Sequence, residues 1–466
     1  MYAVHASWVL PVHGRELIAD GVVAWSSQSG RIVDVCYAKD FDFNKIPPLN
    51  VMRLPPRNIL IPGLINCHTH SGMSLLRGYA DDLPLAQWLE FLWKAESELV
   101  DDEYVEVGTE LAVYEMLRSG TTTFVDQYWR SPVAAQVCLK AGIRIAAGEP
   151  LICTDAKSED ARSLVEGLVK LSERIHDLGN GSNSAHPHPL LTIPLLCPHA
   201  TYTVPFPVLS EVGVAAKRTG WRVHTHLNET VKECEDAHAL NGCGAIELLD
   251  RAGLLNDRLI VAHCVHLHDK DVALLAERRV NVVHCPKSNL KLGSGICPVT
   301  KLLAAGVNIA LGTDSSGSNN SLNMFSEMQF ASLLAKGTCL DAAALDCFAV
   351  VEMATINGAK ALGVEDDLGS LEAGKLCDMV SVDLSALELA PVHNPVSTMV
   401  YTGAHSVSHV WINGELKVKD NQVLCMDIDR SRIANYIQKV METRRKHIEG
   451  LDKVPCAPNH PDILAE

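Results

Sequence analysis

Positive charge is in short supply in this chain of 466 residues: 40 Lys and Arg stand against 56 Asp and Glu, a formal net charge of −16, with no basic block anywhere. That balance argues against phosphate backbones and anionic membrane surfaces as partners. No apolar run reaches the roughly 18 residues of a membrane helix, and the first ten residues lack the basic start and long apolar core of a signal peptide. A soluble cytoplasmic protein is therefore expected, with no membrane and no nucleic acid among its partners. The 15 cysteines, an odd number, include no C-x-x-C pair and sit mostly inside apolar segments. This excludes a zinc knuckle or disulfide framework and leaves small reduced core residues, Cys264 among them. Finally, no G-x-G-x-x-G follows the first apolar strand, as a dinucleotide-binding open sheet would require.

What the chain does have is apolar substance, at 47% hydrophobic residues, and a length sufficient for a barrel of about 250 residues with a smaller domain beside it. An apolar run over residues 59–70 ends in His68 and His70, which alternate-face geometry points the same way from a strand tip. Further apolar runs of strand length recur at 121–126, 143–147, 190–196, 221–226, 259–263, 280–284 and 307–311. Segments of helical period separate them, for example 101–119, 205–219 and 269–278. Eight such units predict an α/β fold built on a closed (β/α)8 TIM-like barrel, with strands covered on both faces. Short alternating strands near both ends, at 21–25, 31–35, 378–383 and 408–414, predict a small flanking antiparallel β-sandwich domain made from both termini. The expected division is 1–57 and 365–425 for that domain, 58–364 for the barrel, and 426–466 for a C-terminal helix and tail. Residues 179–189 read as a surface loop.

The polar residues at the ends of these strands carry the chemistry. His68 and His70 close the first strand, His199 follows the fourth, His226 ends the fifth, His263 the sixth, and Asp314 follows the eighth. Barrel enzymes keep their active sites at the carboxyl ends of the strands. Three imidazoles and a carboxylate (His68, His70, His226, Asp314) suit one divalent ion such as Zn2+, which lowers the pKa of a bound water to about 7. His224 shares a face with His226 and is an alternative ligand one layer deeper; His266, His268 and His284 read as packing or hydrogen-bonded histidines.

Several motifs together resemble the amidohydrolase superfamily: Pro62-Gly63-Leu64-Ile65-Asn66-Cys67-His68-Thr69-His70, His226-Leu227-Asn228-Glu229-Thr230, Ala262-His263-Cys264-Val265-His266, His284-Cys285-Pro286-Lys287-Ser288-Asn289 and Gly312-Thr313-Asp314-Ser315-Ser316. Within it the chain looks most like deaminases of 5'-methylthioadenosine and S-adenosylhomocysteine, and nearly as much like the related triazine hydrolases. The resemblance runs from about residue 55 to residue 420.

That resemblance implies one metal ion per chain, zinc first and iron second, held by His68, His70, His226 and Asp314. It implies that Asp314 also takes a proton from the attacking water, that Glu229 protonates a ring nitrogen, that His263 bonds the attacking oxygen and that His199 contacts the substrate. The implied substrate is a small nitrogen heterocycle, an adenine-type nucleoside; the alternative is a triazine, aminopurine or pterin deaminase or chlorohydrolase. A homo-oligomer, dimer or tetramer, is expected. Two departures from the adenosine-directed pattern bear on the substrate. Residues 148–155 carry neither a Phe-Pro-Ser/Thr segment nor an arginine, and Ser315-Ser316-Gly317 replaces Gly-Ala-Ala. A non-catalytic scaffold would be expected to have lost ligands, and all four are present.

Overall fold

The computed structural model describes residues 1–180, 190–402 and 406–448. Most of the loop expected at 179–189 and the tail beyond residue 448 lie outside the described residues. Eight parallel strands form the barrel: β1 (Leu64–Thr69), β2 (Thr121–Gln127), β3 (Arg144–Gly148), β4 (Thr192–Pro198), β5 (Arg222–Leu227), β6 (Leu259–His263), β7 (Asn281–His284) and β8 (Asn308–Leu311). Each pairs with the next in sequence, and the Asp314 N–H donates to the His68 carbonyl (2.9 Å), linking the end of the series back to β1. Seven of the eight expected apolar runs correspond to β2–β8, and the first, 59–70, contains β1. They are buried nearly throughout because helices cover the barrel.

The apolar run at 59–70 is two strands, not one. Asn58–Pro62 belongs to the sheet made by the termini, running antiparallel to Met379–Asp383 and parallel to the end of Tyr2–Val9. The chain passes to β1 at Gly63, where a Cβ would lie 2.1 Å from Thr122 Oγ1, so only glycine allows this approach. The terminal sheet is mixed and not purely antiparallel, since Tyr2–Val9 also pairs in parallel with Val51–Arg53. Arg144, fully buried at the start of β3, joins the two units: its guanidinium lies 3.2 Å from Asp378 and donates to Asn413 (3.0 Å). The outer helix expected at 427–450 is Arg430–Ile448. No described helix is long and apolar enough to cross a membrane, and the described cysteines are free.

Candidate active site

His68, His70 and His226 converge where the strands end. One ring nitrogen from each lies within 4.8 Å of the others, and the same spacing holds among His68, His263 and Asp314. Asp314 Oδ1 is 3.4 Å from His68 Nε2 and 3.2 Å from His70 Nε2. A tight turn makes this possible. Gly312 passes so close to His68 that a Cβ would sit 2.8 Å from the histidine Cβ, and Asp314 follows with a left-handed φ of 62°. His263 shares such a φ (77°), unusual for a non-glycine residue and typical of functional sites.

The three imidazoles are oriented by what holds their other nitrogen. His70 Nδ1–H donates to the Gln127 carbonyl (2.6 Å) and His226 Nδ1–H to the His199 carbonyl (2.8 Å). His68 Nδ1 is 2.8 Å from His224 Nε2. His224 therefore backs a ligand candidate instead of joining the cluster. Each Nε2 is left facing the centre, which is how metal-binding histidines are set. The Nε2 of His68 is buried without a hydrogen-bond partner. Burial pushes the His68 imidazole down to about 4, so it is neutral at pH 7, and His226 is likewise held well below the usual range by burial. Burial lowers the His70 imidazole too, but its contacts with Asp314 and the Gln127 carbonyl outweigh that and raise it. Two neutral imidazoles, one with an orphaned lone pair, beside a third imidazole and a carboxylate fit a divalent cation, so this donor set suits the ion expected of it.

Asp314 is fixed by three donors: Ser288 Oγ (2.5 Å) and Ser318 Oγ (2.9 Å) to Oδ2, and the Ser315 N–H (2.7 Å) to Oδ1. Burial disfavours its charge, but hydrogen bonding with His68 and His70 outweighs that and keeps it well below the carboxylate range. His263 Nδ1 pairs with Asn289 Oδ1 (2.8 Å), leaving Nε2 3.8 Å from Glu229 Oε2. Glu229 is only 6% exposed and takes one hydrogen bond, from Ser294 Oγ (3.2 Å). Burial raises its pKa above the usual carboxyl value, with His263 opposing. Its backbone is clamped: Glu233 accepts from the N–H groups of Asn228 (2.9 Å) and Glu229 (2.7 Å) at the start of the helix Val231–Asn241. His199 Nδ1 pairs with Thr203 Oγ1 (2.9 Å). Cys264 is buried with its thiol pushed far up, which makes it inert core.

All seven residues expected at the site meet around one cavity of about 60 Å3; six of them line it, and His68 clusters with His70, His226, His263 and Asp314 beside it. Helix α1 (Leu85–Leu99) contributes Trp88, Trp93 and Glu96 to the walls, and β2 with the residues after it contributes Gln127 and Trp129. Glu96, which accepts from Tyr128 Oη (2.6 Å) and is pushed up to about 7 by burial, went unrecognised in the sequence because nothing marks it on an ordinary amphipathic helix. Ser288 and Asn289 lie inside a recognised motif, but their bonds to Asp314 and His263 follow only from the fold. A larger cavity, about 720 Å3, lies under the C-terminal helix between Arg77, Arg118 and Met441 and contains none of these groups.

Comparison with known proteins agrees with this geometry. The model of the family described as "Amidohydrolase family" matches residues 59–417. A 5-methylthioadenosine/S-adenosylhomocysteine deaminase from Teredinibacter turnerae is 42% identical over 430 residues, 91% of this chain and 93% of its own length. One of the same name from Pyrococcus furiosus is 35% identical over 91% of this chain and all of its own. Among solved structures, an adenosine deaminase from Xanthomonas campestris with bound zinc superposes with a TM-score of 0.87 at 38% identity, covering 96% of this chain and 98% of its own. An atrazine chlorohydrolase from Arthrobacter aurescens complexed with zinc gives 0.84 at 21% identity over 95% and 100%, a likeness of fold alone.

Proposed function

Because the chain belongs to the amidohydrolase family, we propose that it is a metal-dependent deaminase releasing ammonia from an adenine-type nucleoside of the 5'-methylthioadenosine or S-adenosylhomocysteine class. One observation carries the reading: a buried carboxyl, Glu229, lines the same cavity as His70, His226, His263 and Asp314. Relatives named for this activity, at 35% identity and above over most of the chain, support it.

His68, His70, His226 and Asp314 are the residues to hold one divalent ion, zinc by preference and iron as the alternative. When bound, such an ion makes hydroxide available from water near pH 7. Asp314, with Oδ2 occupied by two serines, takes the proton of the attacking water and passes it to the departing amine. Glu229, whose pKa burial raises, gives its proton to the ring nitrogen next to the attacked carbon, so the ring does not accumulate negative charge. His263 Nε2 hydrogen-bonds the attacking oxygen, its direction set by Asn289, and His199 contacts the substrate. As the amine leaves, the proton of the added hydroxyl goes to the Glu229 carboxylate and restores it, so water and substrate become ammonia and the ring ketone. A cytoplasmic homo-oligomer, dimer or tetramer, completes the reading.

The test is ammonia release by protein loaded with zinc, with metal content measured alongside. We expect about one ion per chain and turnover of 5'-methylthioadenosine or a close adenosine derivative. Ammonia from guanine, pterins or aminotriazines but from no adenosine derivative would refute the proposal.

A further inference from the structure

Among the described residues lining the cavity over the ligand cluster there is no lysine and no arginine. The ionisable groups that face it, apart from histidines and Tyr128 and Tyr202, are acids: Glu96, Glu229 and Asp314. Much of the rest of the wall is apolar and aromatic, with Trp88, Trp93, Trp129, Leu89, Ile152 and Leu292. Two cations that neighbour these residues in the chain are engaged elsewhere. Arg130, next to Trp129, faces Asp102 at 3.4 Å with both side chains more than half exposed. Lys291, next to Leu292, donates to Asp81 (2.6 Å) and to the Gly317 carbonyl (3.1 Å).

The unused polar capacity of the cavity is uncharged. Gln127 is 1% exposed, and neither its amide nitrogen nor its amide oxygen has a hydrogen-bond partner; the indole nitrogen of Trp88 is also buried and unpartnered. Both line the cavity. The Gln127 backbone carbonyl accepts from His70, which fixes this residue beside the ligand cluster. A buried carboxamide with no partner is costly in a folded protein, and neutral donors and acceptors of a bound substrate would satisfy it.

From this wall chemistry we infer that the site accepts an adenosine carrying an uncharged 5'-thioether and rejects the same nucleoside carrying a zwitterionic amino-acid tail, an inference that rests on the deaminase reading above. The ammonium of such a tail finds an acid in Glu96. Its carboxylate finds no Lys or Arg, only neutral donors such as the Gln127 carboxamide among apolar side chains and other carboxyl groups, and a buried carboxylate without a paired cation is disfavoured. An alkylthio group meets surface of its own kind. Substrate binding must part walls that enclose only about 60 Å3, well short of the roughly 300 Å3 at which ligand pockets begin.

Three substrates separate charge from size: 5'-methylthioadenosine, 5'-butylthioadenosine and S-adenosylhomocysteine, compared by kcat/KM on the zinc-loaded full chain. The butylthio compound matches the amino-acid tail in length and lacks its charges. The expected result is similar values for the two alkylthio compounds and a value at least about 100-fold lower for S-adenosylhomocysteine. The inference is overturned if S-adenosylhomocysteine comes within about tenfold of the butylthio compound, whether because both are good or because both fail on size. If none of the three releases ammonia, the deaminase reading falls, and the inference with it. As a second arm, Ile152→Arg at the half-buried cavity wall is expected to narrow the gap between the butylthio compound and S-adenosylhomocysteine at least tenfold; a gap that widens counts against the inference.

Discussion

Replacing Glu229 by glutamine removes a proton donor while leaving almost everything else in place. The side chain keeps its shape and retains an oxygen for Ser294 Oγ, now at 3.2 Å. The bonds from the Asn228 and Glu229 N–H groups to Glu233 involve only backbone at position 229 and are untouched. Glu229 is not in the three-histidine cluster, so metal content is expected to stay near one per chain. At 6% exposure there is little water to substitute for the lost acid. A positioned general acid contributes about 10^2–10^4-fold, so kcat is expected to fall by that factor, about 3–5 kcal/mol at 1.36 kcal/mol per decade, with KM little changed. Because burial raises this carboxyl, the wild type loses kcat on the alkaline side as Glu229 gives up its proton, and the residual activity of Glu229→Gln lacks that limb. The assay is ammonia release across pH with metal analysis of each sample. Turnover within about threefold of wild type, or a loss that tracks loss of metal, refutes the role.

Two further predictions concern the support of the site. His224→Gln removes the partner of His68 Nδ1, and outer partners of this kind are worth about 10–100-fold in metal affinity; competition against a chelator should show a loss in that range, and unchanged affinity would count against it. Glu327 is buried beside the Asp314 loop, accepts from Asn319 Nδ2 (2.8 Å), and is pushed up to about 7 by burial from an ordinary 4.5. Since its folded pKa is the higher one, its proton-linked stabilisation is complete below about 4.5 and is lost as pH rises through 7. Glu327→Gln cannot titrate, so its stability relative to wild type in urea unfolding should improve by about 3 kcal/mol between pH 4.5 and pH 8. A pH-independent difference would show that Glu327 is not raised.

The eight barrel strands were legible in the sequence because they obey local rules, and the seven candidate site residues because strand ends and family motifs mark them. Strands covered on both faces are continuous apolar runs, and a barrel exposes chemistry where such runs end, so His68, His226 and Asp314 announce themselves by type and place. Local rules do not reveal contacts between segments far apart in the chain. That Asn58–Pro62 leaves the barrel for the terminal sheet depends on a glycine facing Thr122. That His224 backs His68 instead of joining the ligands depends on how β5 meets β1 across the barrel. The cavity walls were hidden for the same reason: Glu96 and the tryptophans of α1 acquire meaning only when that helix lies over the strand ends. Residue type, strand periodicity and family resemblance pointed to the candidate centre, whereas the walls around it are a product of closure and packing, which no single stretch encodes.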